Sequence, residues 1–193
     1  MPGLLYSALG KEYPNVTPLP MASIPREIRD RQVELKHQAS HQLSGGPHSV
    51  MVGDRMVSLS TRAYPGWIRF KEMAQNLIRA AKATNTIKQV DRFSFKYVNV
   101  IETLPSESQL PLLDLRIEMI GRAPEERGFH LRTEIYSGNL ITIVEIITHA
   151  IGTTFQPTQE IAGLLVSTDT ISSKVENDFL ENPDASLDEA HSI

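Results

Sequence analysis

YPGWIRFKEMAQNLIRAAKATNTIKQVDRFSFKYVNVIE, residues 64–102, holds the two periodicities that decide the fold. Trp67, Phe70, Ala74, Leu77, Ile78 and Ala81 recur at helical spacing on one face, while Arg69, Lys71, Gln75, Arg79 and Lys82 lie mostly on the other. Pro65 suits the first turn of that helix, where the amide it lacks has no intrahelical partner. Thr84, Asn85 and Thr86, all weak helix formers, end it. From Val90 the period falls to two: Phe93, Phe95, Tyr97 and Ile101 share one side, with Arg92, Ser94 and Lys96 opposite. The helix needs an apolar surface to cover its stripe, and the aromatic side of this strand is the nearest in sequence. Burying Trp67 and Phe70 is worth ~1.5–3 kcal/mol or more for each.

Outward from this centre, residues 2–13 read as a short helix or turn. Pro14, Pro18, Pro20 and Pro25 predict an extended, non-helical linker over the surface. Val33 and Leu35 predict a strand over 32–38. Residues 44–47 form a turn, and residues 48–61 a hairpin about Gly53-Asp54, with Val50, Val57 and Leu59 on one side and Met51 and Met56 on the other. Beyond residue 102, a polar loop leads to an alternating segment at 114–119, read as a strand, with a short helix over 112–120 as the alternative. A charged turn follows at 122–128. Phe129, Leu131, Thr133 and Ile135 then mark a strand, Ser137-Gly138-Asn139 a turn, and residues 140–150 a return strand that is apolar on both sides. Such a strand is either covered twice within a sheet or buried by a partner. Residues 161–171 give a last strand, and Ser186 with Glu189 matches a capping box. These elements predict an α+β fold: antiparallel sheets with helices on one face, in a single unit divisible into pseudo-repeated halves at 1–88 and 89–193.

Tyr64-Pro65-Gly66-Trp67, the helix after it and the strand at 90–101 resemble an uncharacterised, sporadically distributed bacterial family. Its members pair a Y-x-x-W helix start with an R-Y-x-N-x-I strand. The resemblance runs loosely from Leu4 to about Thr170; Lys96 replaces the usual arginine, and Val100 and Ser167 also depart from the pattern. It implies no established activity. It implies a strand ahead of Leu4, and the short segment after Ser186 predicts a continuing helix, so the sequence reads as a piece truncated at both ends.

Composition narrows the function. A net charge of −4 disfavours a dedicated nucleic-acid binder, whose affinity draws on a basic surplus. With no cysteine there is no disulfide, thiolate nucleophile or cysteine-ligated metal. No apolar run is long enough to span a bilayer, which makes a cytoplasmic protein the expectation. His37, His41 and His48 fall in a strand and loop region with no acidic neighbour to converge on, and no metal site is expected. His130 and His149 lie on strands where neither reaches a ligand set alone, and His191 belongs to the chain end. Asp114, Glu118, Glu134, Glu145 and Asp169 alternate with arginines such as Arg116 and Arg132, the pattern of a solvated, cross-strand-paired face. Asp169 shares a side with Ser167 and reads as a strand-end cap before a general base. No nucleophile elbow, Walker loop or dinucleotide fingerprint occurs, so no cofactor is expected and enzymatic activity is disfavoured. The basic positions Arg69, Lys71, Arg79, Lys82, Lys88, Arg92 and Lys96 read as a helix exterior, with an anionic partner as the other reading.

Two functions emerge. The two-sided apolar strand at 140–150 predicts a non-enzymatic protein-interaction or accessory module, self-associating or serving a partner, and the sporadic distribution of the resembled family suggests a role in defence or on mobile elements. The alternative is a small-ligand binder, with Tyr64, Trp67, Tyr97 and Asn99 around a pocket between the Trp67 helix and strand 93–101. There Asn99 is expected to be a buried amide that must find partners.

Overall fold

A helix of two apolar turns opens the chain. In α1 (Pro2–Leu9), Leu5 and Leu9 are buried while Leu4 and Tyr6 face water. The computed structural model describes residues 2–102, 109, 112–113, 128–153, 160–175 and 178–193. The segment expected at 114–119 lies outside them, with Asp114, Arg116 and Glu118, as does most of the loop before it and the charged turn after it.

The proline-rich stretch is more than a linker. β1 (Asn15–Pro18) pairs antiparallel with β2 (Ala39–Gly45). Pro18 is tolerated because β1 is an edge strand, where a missing amide breaks no second ladder. A 3-10 turn (Pro20–Ser23) and α2 (Arg26–Arg31) follow, with Pro20 and Pro25 at helix starts that require no amide. Arg29 ties α2 down, donating to the Met21 carbonyl (2.8 Å) and pairing with Asp54 (2.9 Å). The strand expected over 32–38 is a run of turns instead: the amides of Leu35 and Lys36 close on the Gln32 carbonyl, and Val33 stays exposed. Two apolar residues gave a sheet too little to bury.

β3 (His48–Gly53) and β4 (Val57–Thr61) complete a sheet in sequential order, β1-β2-β3-β4. Gly46-Pro47 forms the first hairpin turn; Gly46 takes φ +58°, which proline cannot. The second loop is Asp54-Arg55, one residue beyond the expected Gly53-Asp54, and the Gly53 amide donates to Met56 O at 2.9 Å. Gly53 remains in the strand because a Cβ there would meet the Gln38 carbonyl. Leu43, Val50 and Leu59 face one another across three strands. On them lie Leu5 and Leu9 of α1 and Leu77 and Ala81 of α3 (Trp67–Ala83), together with Tyr13 and Val52. This part of the α3 stripe is therefore covered by α1 and the first sheet, elements that precede it in the chain. Pro65 precedes the helix cap, Gly66 with φ +85°, rather than entering the first turn. At the far end Thr84 Oγ1 donates to the Ala81 carbonyl, and Asn85 takes the left-handed conformation that ends the helix.

The second sheet is built from β5 (Ser94–Glu102), β6 (His130–Ser137), β7 (Leu140–Thr153) and β8 (Glu160–Ser172), all antiparallel in the order β5-β8-β7-β6. Among the described strands, β6, β7 and β8 form a meander and β5 lies beside β8, the order of a Greek key. Among the described residues the two sheets share strand number and pairing sense but not order. β7 is an interior strand; on one of its two apolar sides Ile141, Ile143 and Ile147 are half-buried, and on the other Leu140 and Ile146 are buried. On that side Thr142 and Thr170 hydrogen-bond across the β7–β8 pair at 3.0 Å. α4 (Asp184–Ser192) packs on β8 and β5 with Leu187 and Ala190 inward. Ser186 lies inside this helix, which begins two residues before the expected cap.

The chain divides into two units, Met1–Val90 with Leu180–Pro183, and Asp91–Phe179 with Asp184–Ile193. Two substitutions test their interiors by urea unfolding. Leu43→Ala is expected to cost ~2–5 kcal/mol, as a fully buried leucine whose removal leaves a cavity. Gly163→Ala is expected to cost ~1–3 kcal/mol, because its Cβ would meet the Ile101 carbonyl across the β5–β8 ladder.

Candidate functional site

The four ligand-site residues expected from sequence fall in both units. Tyr64 and Trp67 belong to the first, at the start of α3, where the Tyr64 and Phe70 rings lie 5.9 Å apart. Tyr97 and Asn99 belong to the second. The Tyr97 hydroxyl shares a 3.1 Å hydrogen bond with His191 Nδ1 on α4. Asn99 is exposed rather than buried, because its side of β5 opens to solvent beyond Tyr97. The amide therefore has water available and needs no protein partner.

The remaining polar candidates separate by partner. His41 Nδ1 meets Ser40 Oγ at 2.9 Å, and His48 Nδ1 meets Thr61 Oγ1 at 2.8 Å; both are sheet contacts. Among the described residues no three histidine, aspartate or glutamate side chains converge as a metal site. Two of the basic helix positions have acidic neighbours, Arg69 with Glu72 at 3.0 Å and Lys82 with Glu181. Asp169 lies in the middle of β8 rather than at a strand end, opposite Lys96 and Ile143. Its Oδ1 is buried with no hydrogen-bond partner, and Ser167 on the same side is also buried. No base and nucleophile meet there.

The polar groups that do converge lie on β6. His130 Nε2 bonds Glu145 Oε1 of β7 at 2.8 Å. Two residues along, Arg132 donates to Glu134 Oε1 at 2.9 Å and Tyr136 Oη donates to Glu134 Oε2 at 2.8 Å. Arg132, Glu134 and Tyr136 alternate onto one side of the strand, so a single carboxylate holds a cation and a phenol in a row. The Tyr136 hydroxyl, and after it Arg132, hold the Glu134 carboxyl below its usual range; the same carboxylate pushes the Tyr136 phenol up. Glu134 is thus ionised at neutral pH, and the row is lost as pH falls through its lowered pKa.

The backbone of β6 has a defined phase. The Thr148 amide donates to the Phe129 carbonyl (2.9 Å), and the Phe129 amide donates to Thr148 Oγ1 (2.7 Å). Phe129, Leu131, Thr133, Ile135 and Ser137 therefore direct their amides and carbonyls toward β7, and His130, Arg132, Glu134 and Tyr136 direct theirs to the open edge. Among the described residues β6 pairs with β7 alone. From Arg132 through Ser137 every side chain is exposed, Ile135 at 51% and Tyr136 at 70%. Alternation in the sequence marks this strand, but nothing in the sequence marks it as an edge. Among the described residues no helix is long and apolar enough to cross a membrane.

Tyr136→Phe is expected to raise the titration midpoint of the Glu134 carboxyl toward the ordinary glutamate value, followed by carbon-detected NMR. An unchanged midpoint would show that the hydroxyl does not hold the carboxylate in solution. No family model, curated protein or solved structure matches this chain.

Proposed function

We propose that this chain is a non-enzymatic protein-interaction module, self-associating or serving as an accessory subunit, in the bacterial cytoplasm. One observation carries the reading: β6 presents a regular strand edge, with no bulge in its register to β7, beside exposed Ile135 and Tyr136. Natural sheets blunt such edges with proline, charged side chains, bulges or covering elements; β6 has no proline, lysine or bulge, and its two charges, Arg132 and Glu134, are paired with each other along the strand. An open, regular edge is a template for another strand. The resemblance to a sporadically distributed bacterial family supports an accessory role, in defence or on a mobile element. The ligand-binding reading gains nothing within either unit, where the Tyr97 hydroxyl is engaged by His191 and Asn99 faces solvent.

Sedimentation velocity on the full chain, across a wide concentration range, is expected to give a mass above the monomer. A strict monomer throughout, combined with saturable binding of a small metabolite in thermal-shift screens, would replace the proposal with the ligand-binding one.

A further inference from the structure

Resting on the interaction reading, we infer that the partner of the β6 edge is β6 of a second copy, paired antiparallel about a two-fold axis through Thr133. The strand's phase and its charges together favour this register over its two neighbours. Only His130, Arg132, Glu134 and Tyr136 direct backbone groups outward, so an isologous pairing must set these residues against one another. Centring the pair on Arg132 would bring two guanidinium groups face to face, and centring it on Glu134 would do the same with two carboxylates. Like charges directly opposite are unfavourable. The register between them, centred on Thr133, sets Arg132 opposite the partner's Glu134 twice over, by symmetry. It also sets His130 opposite Tyr136 on that side, and Leu131 opposite Ile135 twice on the other. Thr133 meets its own copy.

Each class of side chain thus meets its complement. The four charges form a closed square from two rows already ordered within each strand by the bond from Arg132 to Glu134. Ile135, half-exposed in the single chain, gains an aliphatic neighbour, and the outward amides and carbonyls of β6 gain ladder partners that no described residue gives them. Among the described residues α4 packs over β8 and β5, at the other end of the sheet from β6. The product is a continuous sheet running through both copies.

The absence of cysteine from the chain makes the register directly testable. In an antiparallel pair, side chains directly opposite in a non-hydrogen-bonded position have Cβ atoms ~4.5–5.5 Å apart. T133C should therefore cross-link to itself under mild oxidation, through its exposed side chain. S137C on the same strand should not, since its own copy would lie eight residues out of register, roughly 26 Å along the strand. R132E is expected to weaken self-association roughly tenfold or more by opposing carboxylates at both symmetric positions. The swap R132E/E134R is expected to recover it, with circular dichroism verifying that every variant folds. Cross-linking by S137C as readily as by T133C, or self-association indifferent to R132E, overturns this register while leaving the interaction reading standing. A wild-type chain that stays monomeric at every concentration overturns the β6 pairing, and the interaction reading falls with it when that monomer also binds a small metabolite saturably.

Discussion

A β-strand carries its hydrogen-bonding groups on two edges, and the second unit is arranged around the consequence. β7 has neighbours on both edges, so its backbone groups are paired on either side. Among the described residues β6 has a neighbour on one edge only. Its sequence is nonetheless that of a regular strand, rich in β-branched and aromatic residues and without glycine or proline. The outward groups of Arg132 and Glu134 can be solvated by water, at no great cost in the single chain. They also hold a strand in the geometry that another strand requires, with its ordering entropy already spent.

The same sheet shows how its outer strands are fixed in phase. At the start of β5, Ser172 donates its amide to the Phe93 carbonyl (3.0 Å) and accepts the Phe93 amide on Oγ (2.9 Å). At the start of β6, Thr148 does the same to Phe129. In both places a hydroxyl on an interior strand replaces one carbonyl of the ladder, just where an outer strand begins. Next to the second clamp β7 bulges, with His149 at φ +52° and its amide donated to Gln109 Oε1 at 2.8 Å. The two residues Thr148 and His149 stand against Leu164 alone on β8, the two-to-one count of a bulge. The clamp therefore sets the phase of β6 on the side of the bulge where the ladder is regular.

Local periodicity made the fold class legible, and tertiary pairing limited what else could be read. The Trp67–Ala83 helix and the β6–β7 hairpin were plain because each carries its own signal: a helical apolar stripe in one, and Ser137-Gly138-Asn139 between alternating runs in the other. β1 was hidden because Pro14 and Pro18 argue against a strand, and only its edge position and its pairing with β2 admit it. Residues 32–38 erred in the opposite direction, since two alternating apolar residues satisfy a strand pattern without providing a face. The sequence points to the next strand as the cover of the α3 stripe, whereas Leu77 and Ala81 of that stripe are buried against elements that come earlier. The aromatics beside Asn99 predict burial, but alternation gives a side, not a depth.

Edge status belongs to that same hidden class, because strand order follows from pairings between residues far apart in sequence. Once the order is known, however, the local sequence becomes informative in a new way. Arg132 and Glu134, two residues apart on one side of an interior strand, would be an ordinary solvated ion pair of little worth. On an edge whose phase directs those same two residues outward, their opposite signs discriminate between registers separated by two residues. A charge pattern that carries little stability in one chain thus carries specificity between two, since it penalises both neighbouring alignments and favours the one between them.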